Sequence, residues 1–307
     1  MAFSQSVERK PFLHPPADPL FVNAICRSRD QGATWDDPYV VPDYGWSGVE
    51  NPGIAQLGNA DVLLNQWRFV WHPIHTARKL WSQGKGEFYV CDDPGDGRHD
   101  WRPAATDADW DTHPYPWVRS DDAAYVHIST DEGRTWGQTV AVDIAPYRGA
   151  FSPKGAIQLP DGDVLLALGS HDHDPLAATF VVRSHDLGRT WRRPVEVARA
   201  DGLVLSEPSI TRTQSGKLLV MSRDETTGHT FQSESLDDGQ TWSPPHPLDF
   251  WGYPAHCIPT SDGRLLIVYG RRRPPYGIRA AMSDDDGVSW GPEIVIRDDL
   301  PNDNVGY

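Results

Sequence analysis

Short apolar runs alternate with polar turns along the whole chain, and one kind of turn recurs. It has the pattern Ser-x-Asp-x-Gly-x-Thr/Ser-Trp and occurs five times, at residues 28–35, 129–136, 184–191, 235–242 and 283–290. Each copy follows an apolar run, as expected of a tight turn between two antiparallel strands. The glycine permits a positive φ, and the aspartate can accept hydrogen bonds from backbone N–H groups across the loop. The tryptophan predicts a buried anchor in each copy.

The spacing of these turns defines a structural unit. Their aspartates stand at positions 30, 131, 186, 237 and 285, so the unit is about 50 residues long and one interval is doubled. Two further markers follow the same unit: a turn that leads into a buried strand, at 59–64, 161–166, 215–220 and 262–267, and a proline early in an apolar stretch, at 52, 153, 208 and 254. Four antiparallel strands in such a unit are typical of a propeller blade. We therefore predict an all-β fold, a β-propeller of four-stranded antiparallel blades.

The doubled interval predicts an insertion between the second and third strands of the second blade, at about residues 69–122. It is rich in tryptophan and histidine, which favours a flap over one end of the propeller. The whole of 1–307 is interpreted as one domain, because repeat folds commonly run this long without a boundary. Both ends of the repeat pattern are incomplete. Either the terminal pieces pair into one blade or the sequence is a fragment of a longer protein, and we favour the fragment.

Composition limits the classes of binding partner and the cellular compartment that we expect for this protein. The chain has 28 lysines and arginines against 43 aspartates and glutamates, a net charge of −15, which disfavours nucleic acid and anionic membranes as partners. Residues 1–13 lack the apolar core of a signal peptide, and no apolar stretch approaches a transmembrane length. The three cysteines are far apart, unlike a disulfide framework. We expect a cytoplasmic protein, and its oligomeric state stays open.

Equivalent positions in successive blades converge on the central channel, because the inner strands line it. Arginines recur just beyond the paired aliphatic residues of the second strand, and a glutamate and tyrosines recur beside the inner-strand prolines. The candidates are Arg68, Arg223, Arg271, Arg272, Arg273, Glu207, Tyr253 and Tyr307. The plainer alternative is that these are solvated loop residues, since arginine and glutamate are mostly exposed.

The aspartate turns resemble the Asp-boxes of sialidases, which are six-bladed propellers. The segments 206–210 and 218–223 are similar to the part of a sialidase in which a glutamate opens an inner strand and an arginine ends the next one. The resemblance implies that Arg223 is the second arginine of the sialidase triad and that one of Arg271 to Arg273 is the third. It also implies that Tyr307 begins the strand that carries the tyrosine nucleophile.

The N-terminal part matches the sialidase pattern less closely. Arg9, in an Arg-Lys-Pro sequence, corresponds to the first arginine of the triad, and Asp18 corresponds to the acid/base aspartate. Only nine positions separate the two residues. The alternative is that both are residues of a terminal tail.

The chemistry of a sialoside explains this set of residues. Its anomeric carbon carries a carboxylate, which arginine side chains bind through paired charge-assisted hydrogen bonds. A carboxylate nucleophile would be repelled there, whereas a neutral tyrosine would not, and tyrosine is the recognised exception among glycosidase nucleophiles. A tyrosine needs a neighbouring base, and we assign that role to Glu207.

The predicted function is that of an exo-acting glycoside hydrolase of sialidase type, which removes a terminal acidic sugar from a carbohydrate partner. Two alternatives stay open: a carbohydrate-binding propeller without turnover, and a hydrolase or lyase for another uronate-like sugar. No cofactor is predicted. No metal is predicted either, because the sequence His-Asp-His-Asp at 171–174 lacks a third defined ligand and the aspartate turns offer too few oxygen ligands for calcium.

Overall fold

Antiparallel β-sheets form the framework of the protein. The computed structural model describes residues 1–5, 18–41, 47–92, 101–170, 176–224, 226–303 and 305. These residues form five sheets, which we number blades 1 to 5 in chain order. Three of them have four strands in simple meander order, as predicted. The all-β propeller of four-stranded antiparallel blades is therefore confirmed, while the total of six blades stays a prediction.

The strands of each blade are consecutive along the chain. Blade 1 contains β1 (Ala2–Gln5), β2 (Val22–Ile25) and β3 (Tyr39–Val40). Blade 2 contains β4 (Ser47–Gln56), β5 (Val62–Pro73), β8 (Trp117–Ser129) and β9 (Gln138–Ala141), with β6 (Tyr89–Val90) and β7 (Arg102–Pro103) inserted after β5. Blade 3 contains β10 (Ile157–Gln158), β11 (Val164–Gly169), β12 (Thr179–Ser184) and β13 (Val195–Ala198). Blade 4 contains β14 (Leu205–Arg212), β15 (Leu218–Asp224), β16 (His229–Ser235) and β17 (His246–Trp251). Blade 5 contains β18 (Ala255–Pro259), β19 (Leu265–Arg271), β20 (Gly277–Ser283) and β21 (Ile294–Arg297).

The paired leucines of each second strand hold neighbouring blades together. Successive side chains of a strand point to opposite faces of the sheet. Leu165 accordingly packs in a cluster with blade 4, whereas Leu166 packs in a cluster with blade 2. In the next blade Leu218 faces blade 3 and Leu219 faces blade 5. Every one of these four side chains is fully buried, so the repeat pattern reflects a core built between blades.

Each aspartate turn is closed by its own side chains. In the fourth copy Ser235 Oγ donates to Asp237 Oδ1 over 2.8 Å and accepts from the Gly239 N–H over 2.8 Å. The Thr241 N–H and hydroxyl donate to the two oxygens of Asp237 over 2.9 and 2.6 Å. Gly239 has φ 85°, which confirms the predicted need for glycine. The same four bonds recur in the other copies.

The turn tryptophans are less buried than predicted. Trp242 and its counterparts in three other copies are half-buried and pack against the edges of the core clusters. Trp35 is 47% exposed, so the prediction of a buried anchor is wrong for the first copy. Blade 1 supplies fewer strands to cover it, since its described part has only three.

Between β5 and β8 the chain forms α1 (Ile74–Ser82), β6 (Tyr89–Val90), β7 (Arg102–Pro103) and α2 (Asp107–Thr112). The two flanking strands stay paired from Val62–Ser129 to Pro73–Trp117, beyond the length of the other blades. Arg119 is buried there, with its guanidinium carbon 5.1–5.7 Å from the ring centroids of four aromatic residues. The aromatic residues of this stretch thus form a core of their own. Neither of the two described helices is long and apolar enough to cross a membrane.

Removing the tryptophan of a well-covered turn should cost more stability than removing an exposed one. We expect Trp242→Ala to lower the free energy of unfolding by about 2–4 kcal/mol, near the lower end of values for aromatic truncation, because its ring is half-buried. Trp35→Ala, the matched control, should cost about 1 kcal/mol or less. Chemical denaturation of both variants checks this. Equal losses would show that the degree of burial does not set the role of these rings.

Acid should destabilise the fold in two steps. Burial lowers the pKa of His127 and His256 to about 4, so the unfolded chain takes up these protons first and stability falls as the pH drops from about 6.5 to about 4. Hydrogen bonds from the threonine or serine four residues further on lower the pKa of Asp30, Asp131, Asp237 and Asp285 to about 2. The stability that these aspartates contribute is present above pH about 4 and is lost as the pH falls through about 2.

Melting temperatures measured at pH about 4, about 3 and about 2.5 test the second step. The parent should lose stability steadily over this range, whereas Asp237→Asn, which cannot be ionised, should start lower and lose less. A parent whose melting temperature is flat below pH about 4 would contradict the assignment.

Candidate functional site

Glu207 lies at the start of the inner strand β14, in an unusual backbone conformation. Its φ is 44°, a left-handed value that costs a non-glycine residue of order 1–3 kcal/mol. The pairing of β14 with β15 is interrupted between Ser206 and Ser209, where Pro208 stands. Gly169 of blade 3 fits closely against this segment, since a Cβ there would lie 3.1 Å from the Glu207 nitrogen. The neighbouring blade therefore helps to hold the strained residue.

The Glu207 carboxylate faces Arg223 on the adjacent strand β15. Arg223 Nη1 lies 2.6 Å from Glu207 Oε2, and the two side chains are 11% and 5% exposed. The contact is a close ion pair. Each charge compensates the other in this buried position, because either charge alone would be costly to bury.

Tyr253 contacts both Arg223 and a second arginine, Arg272. Its ring centroid lies 4.9 Å from the Arg223 guanidinium carbon and 5.0 Å from that of Arg272. Arg272 Nε also donates to the backbone carbonyls of Tyr253 and Val305, each over 3.2 Å. The structure thus brings together Glu207, Arg223, Tyr253 and Arg272, which we call the arginine cluster.

The three consecutive arginines of blade 5 point in different directions. Arg271, the last residue of β19, lies 3.9 Å from Glu293 on the outer side of the blade. Arg273 stacks on Trp251, with 4.5 Å between the guanidinium carbon and the ring centroid. Only Arg272 of the three contacts Tyr253, as the alternation of side chains along an extended chain would allow. The sequence left this choice open.

Two further candidates occupy other surroundings. Arg68 Nη2 donates to the Tyr125 hydroxyl over 2.9 Å, and its guanidinium carbon lies 4.2 Å from that ring, so its described contacts are within blade 2. Asp18 is 1% exposed and accepts from the Leu20 N–H over 2.9 Å. This burial argues against the alternative of a solvated tail residue. The described contacts connect neither residue to the arginine cluster.

Several candidates lie outside the described residues. These are Arg9, Tyr307 and the sequence at 171–174. Tyr307 follows Val305, which accepts from Arg272, by two positions in the sequence. In the part of the chain that the structure describes, no group of three or more His, Cys, Asp or Glu side chains is placed to hold a metal ion.

A group of polar side chains on the inner strands or just before them was not found from the sequence. Ser209 Oγ lies 3.3 Å from His256 Nδ1, which joins blades 4 and 5. Burial lowers the pKa of Lys154, and the nearby Glu207 charge opposes this shift. The Lys154 charge in turn adds to the burial that lowers the pKa of His256 to about 4. All three residues come one or two positions after an inner-strand proline, which is the signal that could have identified them.

A cavity beside the insertion lies away from the arginine cluster. It measures about 530 Å³ and is lined by His72, Tyr89, Asp121 and the segment 147–149 among others. None of the four residues of the arginine cluster lines it. Its size alone would suit a small molecule. The strained backbone and the paired charges, however, are found at the arginine cluster, and we therefore take the cluster as the candidate site.

Comparison with known proteins adds to this description. A family model described as a BNR repeat-like domain matches residues 113–307. A sialidase of Bacteroides fragilis (strain YCH46) is 22% identical over 302 residues, a match that covers 92% of this chain and 50% of that protein. The chain therefore spans about half the length of this curated relative.

Solved structures share the fold. A protein of unknown function from Dyadobacter fermentans has a TM-score of 0.77 at 22% identity, with 94% of this chain and 76% of that chain covered. A Hadza microbial sialidase has a TM-score of 0.62 at 19% identity, with 91% and 53% covered. The intramolecular trans-sialidase of Ruminococcus gnavus has a TM-score of 0.60 at 17% identity, with 92% and 79% covered. At these identities the likeness concerns the fold.

Breaking the Glu207–Arg223 pair should destabilise the protein strongly. Arg223→Met should lower the free energy of unfolding by about 3–5 kcal/mol, because it leaves a carboxylate buried beside an apolar side chain. Adding Glu207→Gln should recover part of that loss, since the amide carries no charge. The exposed Arg193→Met serves as the control and should change little. If Arg223→Met unfolds like the parent, the ion pair does not support the fold.

Proposed function

The chain belongs to the family of BNR repeat-like domains, and we propose that it is an exo-acting glycoside hydrolase of sialidase type that removes a terminal acidic sugar. The observation that carries the proposal is the arginine cluster, in which two guanidinium groups lie about 5 Å from one tyrosine ring beside a buried glutamate. The sialidase name of the relatives in sequence and in structure supports the same class.

Arg223 and Arg272 are the proposed ligands of the sugar carboxylate. Both are cationic at every physiological pH, and the planar guanidinium matches a carboxylate through two parallel hydrogen bonds. They concentrate positive charge inside a chain with a net charge of −15, so an anionic ligand would be attracted locally although the whole surface repels it. The packing against Tyr253 keeps both groups close to one point.

Glu207 is the proposed base for a tyrosine nucleophile, and Tyr307 is the proposed nucleophile. In the ligand-free protein the glutamate is engaged by Arg223. When a substrate carboxylate binds Arg223, Arg223 is shared between the two carboxylates, and Glu207 is then free to accept the tyrosine proton. Asp18 is the proposed acid that protonates the leaving group. Its near-complete burial supports a defined position rather than a role in a tail.

A binding module without turnover is the second candidate. The 2.6 Å contact between Glu207 and Arg223 favours it, because a buried ion pair can support the fold without any part in a reaction. Both candidates use the two arginines, but only the enzyme needs Glu207 in a chemical step. An uronate-like sugar in place of a sialic acid would use the same cluster.

Hydrolysis of a fluorogenic α-sialoside, with a fluorogenic uronoside in parallel, tests the proposal. The parent should turn over the sialoside. Glu207→Gln should lower kcat by about 10²-fold or more and change the affinity by less than about tenfold, because the glutamate acts in the chemical step. Arg272→Ala should weaken binding of the acidic sugar by about 2–5 kcal/mol, the range for a lost buried charge partner.

Arg271→Ala is the matched control for Arg272→Ala, because the neighbouring arginine lies against Glu293 instead. It should leave the affinity for the acidic sugar within about threefold of the parent. A parent that binds sialic acid but hydrolyses neither glycoside would favour the binding module. Loss of affinity in Arg271→Ala but not in Arg272→Ala would refute the assignment of the carboxylate site.

A further inference from the structure

The turn after β15 holds an aromatic side chain in a fixed position. Asp224 is fully buried, and its carboxylate accepts from the Thr227 N–H over 2.8 Å and from the Thr227 hydroxyl over 2.7 Å. The next residue, Gly228, has φ 79°, and a Cβ there would overlap the ring of Trp251. Trp251 Nε1 in turn donates to the Thr227 carbonyl over 3.2 Å. The Trp251 ring, at the end of β17, is therefore fixed by a hydrogen bond and by close packing against a glycine.

Arg273 lies over this ring. Its guanidinium carbon is 4.5 Å from the Trp251 ring centroid, and the residue is exposed. It forms no ion pair and no hydrogen bond with the residues that the structure describes. Contact with a ring does not use the N–H groups, which donate in the plane of the guanidinium. Arg273 is thus oriented by the tryptophan, while its donors are available to an anion.

Trp251 and Arg273 lie beside the arginine cluster. The turn that holds Trp251 follows the end of β15, where Arg223 lies. The Trp251 ring centroid is 6.1 Å from that of Tyr253, which contacts Arg223 and Arg272. This distance is comparable to the length of one pyranose ring. A sugar joined to one that is bound at the cluster therefore comes within reach of Arg273.

The chemistry of this position favours an anionic group over a neutral sugar. A neutral sugar that stacked on the Trp251 ring would have to displace Arg273 from it. A carboxylate or a sulfate ester would instead accept charge-assisted hydrogen bonds from the guanidinium. The chain has a net charge of −15, so a local cation of this kind attracts an anion that the rest of the surface repels.

We propose that Arg273, oriented by Trp251, is a second anion-binding position, which takes a carboxylate or a sulfate ester on the sugar next to the one held by the arginine cluster. The preferred ligands are then glycans whose last two sugars both carry a negative charge. The inference rests on the proposed function in placing an acidic sugar at the arginine cluster. It does not require turnover, so the two can fail separately.

Calorimetry with N-acetylneuraminic acid and with the disaccharide of two such units tests the proposal. The parent should bind the disaccharide about fivefold more tightly than the monosaccharide, the gain expected of one exposed ion pair with paired hydrogen bonds. In Arg273→Gln this advantage should fall to within about twofold. Glu207→Gln replaces the parent as background if the disaccharide is hydrolysed. An advantage that is unchanged in Arg273→Gln overturns the proposal.

Matched variants separate the charge of Arg273 from its orientation. Arg193→Gln removes the same charge at another exposed position and should keep the full advantage of the disaccharide. Arg273→Lys should keep part of it, since lysine carries the charge without the planar fork. Trp251→Leu should lower it, because Arg273 loses the ring that orients it, and a full advantage in this variant would refute the role of the ring. Added salt should lower the advantage in the parent, because the charges are exposed.

Two further ligands identify the group that is bound. Sialyllactose places a neutral sugar beside the acidic one, and sulfated sialyllactose adds a sulfate ester to that neutral part. A gain for the disaccharide assigns the position to a carboxylate, and a gain for the sulfated form over sialyllactose assigns it to a sulfate ester; either supports the proposal. A gain of the same size for neutral sialyllactose, lost in Trp251→Leu but kept in Arg273→Gln, would mean stacking on the ring and overturns the proposal.

Failure of the proposed function gives a different result. A parent that binds the disaccharide more tightly but hydrolyses no sialoside is not the proposed enzyme, and the second anion-binding position stands. A parent that binds neither ligand refutes the arginine cluster as the carboxylate site, and the second position is refuted with it.

Discussion

The structure depends on the alternation of side chains along the second strand of each blade. Because Leu165 and Leu166 point to opposite faces, one strand contributes to two interblade cores at once. A shift of one residue in the pairing would exchange the two faces, so the register is tightly specified. The inner strands are thereby held in fixed relation to their neighbours. A site assembled from Glu207 of blade 4 and Arg272 of blade 5 requires such fixed relations.

The two kinds of charged group in this protein are stabilised in opposite ways. The aspartate turns keep their carboxylates near solvent and satisfy them with hydrogen bonds from their own loop. The arginine cluster instead buries its charges and depends on contacts between strands and blades. The turns therefore serve the fold in any propeller of this kind, while the cluster can bind a ligand, because a ligand can replace one of its internal contacts.

Much of the fold could be predicted from the sequence repeat, and so could part of the candidate site. The period placed the strands, and it put Glu207 and Arg223 on adjacent strands of one blade, as the structure has them. The exposure of Trp35 could not be predicted, since it depends on how much of blade 1 covers the turn. The choice among the three arginines depended on the direction of the chain after β19, which no periodic pattern records. Lys154 went unnoticed because alignment of the blades singled out neighbouring positions.

The strained conformation of Glu207 connects the fold to the proposed chemistry. A glycine at this position would relieve the positive φ, yet a glutamate occupies it, held by Gly169 on one side and by the Ser152 hydrogen bond to Pro208 on the other. Such strain is retained where the surrounding structure determines it, and it clusters at functional sites. A simple ion pair with Arg223 would not require Glu207 to adopt this strained backbone conformation. The constraint is explained if the carboxylate must stay in one place while its arginine turns to a ligand.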